Sequence, residues 1–564
     1  MKVSFCVLRI CLLLASITLL PSCVVRPTEA VLVEKRPNIL LIVADDLGYS
    51  DLGVYGGEIS TPTLDQLAIE GGLQLTNFHA GPTCSPTRSM IMSGTYNHLA
   101  GLGAMAEWVA DNQRDQAGYE GYLNDRVAAL PDLLKEAGYY TFMAGKWHLG
   151  MRAEHGPDAR GFEDSFAMLP DEGNHYSDRG MNARLPVVPY VENGTRTGLP
   201  ENFYSTSHYT NKAIEYLSKA VVESNKPFFG YVSYTAPHWP LQVPEEFSDK
   251  YRERYNEGYQ AIRSQRLERM IDSGLLSKDV KVNPLSDCRT PWEALTVEER
   301  KRKARAMEIY AGMVDALDQN IGRLLAHLEQ IGERDNTLVI FISDNGADAR
   351  PEMGLGGENR FLDEQYNNSF DNLGTESSFV SYGGGWAEVG STPFSLHKGM
   401  TTEGGTRVPA IISYPGKVSI SGIRHEFMSV MDLLPTFLEV AGVEHPGESY
   451  RGREVLPVTG NSFLPFLQGQ VGKVHEVPLY GFSVHRRHGF QYGDLKLVRL
   501  PPPGGNGEWQ LFDLGTDPGE SDNLAERMPE TLDKMVERWE TFARDTGVIV
   551  SEPGSRVPGG CTAK

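Results

Sequence analysis

The fold is decided by residues 38–46, which read NILLIVADD. Six consecutive apolar residues, from Ile39 to Ala44, show no alternation with polar ones. A continuous apolar run of this length is typical of a strand that is buried on both faces, as in the parallel sheets of α/β proteins. The two aspartates directly after the run predict that the strand ends at a polar site.

Similar apolar runs recur along the chain, and a helical pattern lies between them. It places apolar residues three or four positions apart from Met307 to Leu328. Alternating strands and helices predict an α/β fold with a large mixed, mainly parallel sheet sandwiched by helices. The further strand-like runs are residues 140–144, 228–234, 338–343 and 410–413.

Polar or ionisable residues follow four of these runs. In an open α/β sheet, the ligand site lies outside the carboxyl ends of the strands. One sheet would therefore bring residues from distant parts of the sequence to one crevice. These residues are Asp45 and Asp46, then GKWH at 145–148, PHW at 237–239 and DNG at 344–346.

Length and charge exclude several classes of protein. The chain has 564 residues, which suggests several domains or one large α/β unit with an appendage. Its 53 basic and 74 acidic residues give a net charge of −21, so it is a poor candidate for binding nucleic acid. After residue 25 no apolar run reaches the roughly 18 residues of a membrane span, which excludes a multi-span membrane protein.

The pattern changes at about residue 425. We expect a catalytic domain over residues 36–425 and a smaller α+β domain with an antiparallel sheet over residues 426–550. Residues 551–564 would form a tail. In the smaller domain, a helix is expected over 429–440 and strands over 477–482, 495–500 and 509–514.

The first 23 residues read as a targeting leader rather than as part of the fold. Lys2 and Arg9 precede an apolar run over residues 10–20, which is too short for a stable span and typical of a secretory signal. The run ends in LPSC at residues 20–23, which resembles a bacterial lipobox. It predicts an exported protein, periplasmic or anchored through lipidated Cys23. The alternative is a plain signal peptide with an incidental cysteine.

The six cysteines do not form a disulfide framework. Three lie in or at the leader, and Cys288 and Cys561 are free to pair in an oxidising compartment. Cys84 is then left over. Beside Arg88 it could be a thiolate nucleophile, although such a thiolate usually needs a neighbouring histidine base. The alternative is a small buried apolar residue.

Four hard oxygen donors stand at two strand ends, namely Asp45, Asp46, Asp344 and Asn345. Adjacent carboxylates repel each other unless a cation neutralises them. The donor set suits Ca²⁺ or Mg²⁺ rather than Zn²⁺, because no cysteine or histidine spacing of the zinc type accompanies it. The alternative is that the aspartate pair only caps the following turn.

Residues 84–88, CSPTR, match the signature C-x-P-x-R of the formylglycine-dependent sulfatases. Their surroundings, residues 81–103, resemble those of bacterial arylsulfatases in the alkaline-phosphatase-like superfamily. The resemblance runs from about residue 36 to 545. It is carried in order by RPNI at 36–39, GKWHLG at 145–150, APHWP at 236–240, SDNG at 343–346, HKG at 397–399, EGG at 403–405 and LFDL at 511–514.

The resemblance implies a nucleophile and a metal. A maturation enzyme would oxidise Cys84 to formylglycine, whose hydrate attacks the sulfur of a sulfate ester. The second hydroxyl of the hydrate then lets the group collapse to the aldehyde and expel sulfate. One Ca²⁺, with Mg²⁺ as the alternative, would be held by residue 84 together with Asp45, Asp46, Asp344 and Asn345. By the same resemblance, Asp344 accepts the proton of the nucleophile.

The resemblance also implies roles for five further side chains. Arg88 would stabilise the nucleophile and the carboxylates, and Lys146 and Lys398 would hold sulfate oxygens. His238 would be the general acid for the leaving alcohol, and His148 would help to deprotonate the second hydroxyl. Taken one at a time, each of these residues could be an ordinary polar residue.

Three segments are expected to line or approach the pocket, namely residues 171–200, 345–392 and 481–495. The second contains Phe379, Tyr382 and Trp386, which either stack on an aromatic leaving group or pack the segment itself. The sequence leaves these two alternatives open.

The predicted function is hydrolysis of sulfate esters, namely aryl sulfates or similar small organic sulfates. One alternative is a phosphonate monoester or phosphodiester hydrolase that uses the same formylglycine site. Another is a surface lipoprotein that binds Ca²⁺ without turnover. The sequence does not indicate an oligomeric state.

Overall fold

Strand β1 (Asn38–Ala44) is buried along its whole length at the centre of a large sheet. The structure is a computed structural model and describes residues 35–286, 289–351 and 359–555. The strands that follow are β2 Leu73–His79, β3 Tyr140–Lys146, β4 Asp164–Met168, β5 Arg179–Asn182, β6 Leu185–Val187, β7 Tyr190–Glu192, β8 Thr195–Arg196, β9 Phe228–Ser233, β10 Thr337–Ser343, β11 Arg407–Ser413, β12 Gly422–Arg424, β13 Met428–Ser429, β14 Ser449–Tyr450, β15 Arg453–Glu454, β16 Leu479–Val484, β17 Arg487–Tyr492, β18 Leu495–Arg499 and β19 Trp509–Asp513.

Helices lie between the strands, as the alternation predicts. The longest begins after Thr296, whose side chain accepts a hydrogen bond from the backbone of Glu299 in a capping box. The α-helices are α1 Pro62–Ile69, α2 Cys84–Ser93, α3 Leu130–Glu136, α4 Ser205–Ser218, α5 Glu245–Ser248, α6 Tyr259–Asp272, α7 Val297–Gln330, α8 Asn359–Gln365, α9 Gly383–Gly390, α10 Glu403–Thr406, α11 Leu433–Ala441, α12 Leu464–Leu467 and α13 Pro529–Thr546.

The large sheet is mixed but mainly parallel. Its strand order is β12-β2-β11-β10-β1-β9-β3-β4-β7-β8, and β13 also pairs with β2. Strands β10, β1, β9, β3 and β4 are parallel neighbours. Strand β11 runs antiparallel to both β10 and β2. The carboxyl ends of the central strands therefore meet at one edge.

Helices cover both faces of this sheet, because side chains along β1 alternate between two hydrophobic cores. Leu40 and Ile42 pack into one core with residues of α1, α4 and α7. Leu41 and Val43 pack into the other with residues of α2, α3 and α11. This sandwich confirms the predicted fold class.

A second sheet follows α11. Strands β16 to β19 form a four-stranded antiparallel meander, and their apolar side chains share a core with Trp539 of α13. Strands β16, β18 and β19 lie where the sequence predicts strands. The sequence analysis did not predict strand β17 or helix α13. From Arg36 the chain forms one compact unit, and the boundary near residue 425 stays a prediction.

Some sequence predictions fall outside the described residues. These are the leader with Cys23 and the pairing of Cys288 with Cys561. In the part of the chain that the structure describes, none of the helices combines the length and the apolar character needed to cross a membrane.

Candidate active site

Four neighbouring strands deliver the predicted site residues to one edge of the sheet. Asp45 and Asp46 follow β1, and Asp344 follows the adjacent and parallel β10. Lys146 is the last residue of β3, and His238 lies in the turn after β9. The register pairs Ala44 with Ser343, so the polar residues after these two strands begin side by side.

Cys84 is the first residue of α2 and is buried against the aspartate pair. Its sulfur lies 3.5 Å from Oδ1 of Asp45 and 3.9 Å from Oδ1 of Asp46. Burial raises the pKa of the Cys84 thiol well above its usual value, although Lys146 and Lys398 act in the opposite direction. The unmodified side chain is therefore a protonated thiol, which argues against the thiolate alternative.

Arg88 lies one turn further along α2 and is fully buried. Its guanidinium donates to Oδ2 of Asp344 through Nε at 3.0 Å and through a terminal nitrogen at 2.7 Å. Another terminal nitrogen donates to the carbonyl oxygen of Lys146 at 3.1 Å, to the hydroxyl of Tyr231 at 3.3 Å and to that of Ser233. Arg88 thus fixes strand ends from three parts of the sheet.

Two lysines each neutralise one member of the aspartate pair. Lys146 Nζ lies 2.6 Å from Oδ2 of Asp45, and Lys398 Nζ lies 2.6 Å from Oδ1 of Asp46. Burial alone would raise the pKa of Asp45, but Lys146 and other cations hold that pKa far below its usual range. Asp45 is therefore ionised.

Asp46 is less well compensated. Burial, the neighbouring Asp45 and two other carboxylates raise the pKa of Asp46 to about 8, even with Lys398 beside it. Its backbone is left-handed, with a φ of 65°, a conformation that aspartate tolerates better than most residues. The cluster therefore has too little positive charge to compensate all of its carboxylates, and the raised pKa of Asp46 reflects this shortage.

Two buried oxygens of the cluster have no hydrogen-bond partner in the described part of the chain. They are Oδ2 of Asp46 and Oδ1 of Asn345. Asn345 donates instead through its amide nitrogen, at 2.7 Å, to Oδ1 of Asp46. Asp45, Asp46, Cys84 and His238 each offer a ligand atom, and these atoms lie within 4.8 Å of one another. Unpaired buried oxygens in a cluster short of positive charge suit a hard divalent cation.

The two predicted catalytic histidines have different surroundings. His238 shares a hydrogen bond of 2.6 Å between Nδ1 and the carbonyl oxygen of Trp239, and its Nε2 lies 3.4 Å from Oδ2 of Asp46. Burial lowers the pKa of His238 well below its usual value. His148 has a left-handed backbone, its Nε2 lies 3.4 Å from Oε2 of Glu107, and its buried Nδ1 has no partner in the described residues.

A narrow cavity opens directly onto Cys84. Its wall also includes Lys398, His238 and Thr83. It adjoins a wider cavity of about 780 Å³, which we call the mouth. The residues lining both are Trp108, Asp171, Glu172 and Arg350.

The aromatic residues of segment 345–392 pack the segment into the protein interior. Phe379, Tyr382 and Trp386 are buried, and Trp386 makes edge contacts with Tyr259 and Trp292. Their stacking on a leaving group, which the sequence left open, is therefore not supported. Two other residues of this segment, Asp348 and Arg350, line the cavity that opens onto Cys84.

Sequence reasoning missed several residues around the site. Tyr231 and Ser233 contact Arg88, and their spacing of two on a predicted strand could have signalled a shared face. Asp348 lies 3.9 Å from Lys398, and its place four residues after Asp344 was a signal that was not used. Glu107 carried no signal in the sequence.

Comparison with known proteins identifies the chain. The sequence model of the Sulfatase family matches residues 37–443. The chain belongs to the sulfatase family. A second model, described as N-sulphoglucosamine sulphohydrolase, C-terminal, matches residues 395–543 of this sulfatase.

Named relatives agree with this assignment. The sulfatase is 45% identical to an uncharacterized sulfatase of Schizosaccharomyces pombe over 92% of this chain and 95% of that protein. It is 38% identical to an arylsulfatase of Klebsiella aerogenes over 76% of this chain and 91% of the relative. The solved structure of Ps i-CgsB in complex with k-i-k-neocarrahexaose has the same fold, with a TM-score of 0.64, 24% identity, and coverage of 92% of this chain and 95% of that one. The chain is accordingly a sulfuric ester hydrolase.

We expect Arg88→Met to destabilise the sulfatase by about 3–5 kcal/mol, because it leaves buried carboxylates without their counter-charge. Urea denaturation with a metal chelator in both samples measures this loss without compensation by a bound cation. Arg152→Met is the control, because the side chain of Arg152 is 76% exposed. An Arg88→Met protein that unfolds at the wild-type urea concentration would show that Arg88 does not compensate the cluster.

Proposed function

We propose that this sulfatase hydrolyses aryl sulfates or similar small sulfate esters through formylglycine formed from Cys84, assisted by one Ca²⁺. The observation that carries the proposal is the position of Cys84. It lies buried at the start of α2, next to two aspartates, and their lysine partners also act on its thiol. A protonated thiol is a poor nucleophile in such a place, whereas an aldehyde hydrate there faces both carboxylates and cations.

The residues present fit a hard divalent cation. Asp45, Asp46, Asp344 and Asn345 would hold it together with residue 84, and the unpaired oxygens of Asp46 and Asn345 support this set. When bound, Ca²⁺ would polarise the nucleophile and a sulfate oxygen. All of the protein donors except Cys84 are oxygen atoms, which favours Ca²⁺ or Mg²⁺ over softer metals.

Lys146 and Lys398 would bind the sulfate group. Lys146 is fully buried and the Lys398 side chain is 12% exposed, and each ammonium group is held by a carboxylate, so their positions are fixed before a substrate arrives. Preorganised charges of this kind stabilise a small anion without a reorganisation cost. Arg88 would act beside them by holding Asp344, the proposed acceptor of the nucleophile's proton, in place.

His238 would protonate the leaving alcohol from Nε2. If Nδ1 donates its hydrogen to the Trp239 carbonyl, a neutral ring has a lone pair at Nε2 and cannot act as an acid there. The general-acid role therefore needs the imidazolium, which burial disfavours and a bound anionic ester favours. His148, with its unpaired Nδ1, would assist deprotonation of the second hydroxyl of the nucleophile.

We expect Cys84→Ala to abolish turnover of 4-nitrophenyl sulfate while the circular dichroism spectrum stays unchanged, because alanine cannot be oxidised to an aldehyde. Mass spectrometry of the peptide across residue 84 should show the aldehyde in the active wild-type protein. Ser93→Ala, at the other end of α2, is the matched control and should stay active.

Two results would contradict this proposal. One is an active Cys84→Ala protein, and the other is turnover by protein in which the thiol is intact. Turnover of a phenylphosphonate ester without turnover of aryl sulfates would instead support the phosphonate or phosphodiester alternative. An intact thiol without any turnover would support the Ca²⁺-binding lipoprotein.

We expect Asp46→Asn to lose bound metal, because it removes a carboxylate charge from the cluster. Atomic absorption after dialysis should find one calcium per wild-type chain and much less in the variant. Asp125→Asn is the control, since the Asp125 side chain is 73% exposed. An unchanged calcium content in Asp46→Asn would remove Asp46 from the ligand set, and bound magnesium in place of calcium would correct the metal.

The leader supports a further part of the proposal, namely export with anchoring at Cys23. Oxidation of Cys84 would in addition need a formylglycine-generating maturation enzyme. Fractionation of the native host should recover the full-length protein with the membranes. A Cys23→Ala variant should be exported in soluble form, because no acyl chain can then be attached. A full-length native protein found entirely in the soluble fraction would contradict the anchor.

A further inference from the structure

The mouth outside the nucleophile carries more negative than positive charge. Its lining includes four carboxylates and two guanidinium groups. The carboxylates belong to Glu107, Asp111, Asp171 and Glu172, and the guanidinium groups to Arg184 and Arg350. A substrate with its sulfate near Cys84 would place its alcohol portion here, because the two cavities share a wall.

Arg350 offsets this charge only in part at the inner end of the mouth, because it is already engaged. Its terminal nitrogen lies 3.7 Å from Oε2 of Glu172. The guanidinium carbon lies 3.5 Å from the centre of the Trp239 ring, so one face is covered by the indole. Arg350 and Glu172 therefore form a neutral pair in the wall.

Two other carboxylates of the mouth have partners of their own. Glu107 contacts the ring of His148 at 3.4 Å. Asp111 pairs at 3.1 Å with Arg114, and both side chains are exposed. Of the four carboxylates that line the mouth, Asp171 is therefore the one without such a contact in the described residues.

Asp171 is half-buried and makes no hydrogen bond or ion pair within residues 35–286, 289–351 and 359–555. It lines both cavities. Burial and the neighbouring carboxylate of Glu107 raise the pKa of Asp171, although His148, Lys146 and Arg350 act in the opposite direction. An acid in such a place is stabilised in its ionised form by a further cation that enters the mouth.

We propose that Asp171 binds a cationic group on the alcohol portion of the substrate, so that the preferred sulfate esters are zwitterions with an ammonium opposite the sulfate. This inference rests on the proposed function, because it assumes that the sulfate lies at residue 84. An ammonium in the mouth meets the carboxylate of Asp171, which makes no ion pair in the described residues. A second anionic group there meets like charge, which disfavours polysulfated substrates.

Three esters with the same phenyl sulfate core test the proposal, namely 4-(2-aminoethyl)phenyl, 4-ethylphenyl and 4-(2-carboxyethyl)phenyl sulfate. We expect kcat/KM to be highest for the ammonium ester, by about tenfold over the neutral one, and lowest for the carboxylate ester. Asp171→Asn, which keeps the side-chain shape, should remove the advantage of the ammonium ester through KM rather than kcat. Asp111→Asn should retain it, because Asp111 is already paired with Arg114.

Equal kcat/KM values of the wild-type protein for the ammonium and neutral esters would overturn the proposal. A preference for the ammonium ester that survives in a folded Asp171→Asn protein would also overturn it. Asp171→Ala serves as a second variant if Asp171→Asn does not fold. Absence of turnover of all three esters would count against the proposed function. Calorimetric measurement of the binding of the ammonium and neutral esters then tests Asp171 independently. Tighter binding of the ammonium ester that is lost in Asp171→Asn supports the inference, and equal binding of the two esters overturns it.

Discussion

The active site depends on one constraint, namely that several carboxylates are buried together at the ends of parallel strands. Asp45, Asp46 and Asp344 are buried, and the Asp348 side chain is 14% exposed. When all four are ionised they supply four negative charges, against three positive ones from Arg88, Lys146 and Lys398. Buried charges are costly unless they are paired. The cluster is therefore one charge short of neutral, and a divalent cation would reverse its sign. A site with one excess positive charge matches a sulfate monoester, which carries a single negative charge.

The topology explains how such a cluster can form without strain in the strands. The carboxylates leave β1 and β10 at the same level, while the cations come from β3, α2 and the loop before α10. Each group thus reaches the site from its own element, and the hydrogen bonds of Arg88 to Lys146, Ser233 and Asp344 join three of the strand ends. Removal of one cation should therefore affect both charge balance and the relative positions of the strands.

Much of the fold and of the candidate site could be predicted from the sequence. Apolar runs identify buried strands, and the carboxyl ends of parallel strands lie together at one edge of the sheet. That reasoning located β1, β3, β9 and β10, and it brought Asp45, Lys146 and Asp344 to one edge. It did not find α9, whose sequence begins with three glycines and lacks helix propensity, so tertiary packing around Trp386 determines that helix. It placed Asp171 in a segment expected to line the pocket but did not single out its charge, because the charge of a pocket wall depends on which side chains are paired in the fold.

The smaller sheet contributes to the active site through the loop that carries Lys398. Arg487 of β17 donates to the carbonyl oxygen of Gly399 at 2.6 Å, and Lys496 of β18 lies 2.6 Å from Oε1 of Glu403. Lys496 also lies 2.9 Å from Glu520, whose carboxylate accepts a hydrogen bond from the backbone of Glu403. The backbone that follows Lys398 is thus held at Gly399 and at Glu403 by buried, charged contacts from the second sheet. Because Lys398 has a long flexible side chain, its position beside Asp46 depends on this fixed backbone, and the second sheet therefore helps to position Lys398 in the candidate site.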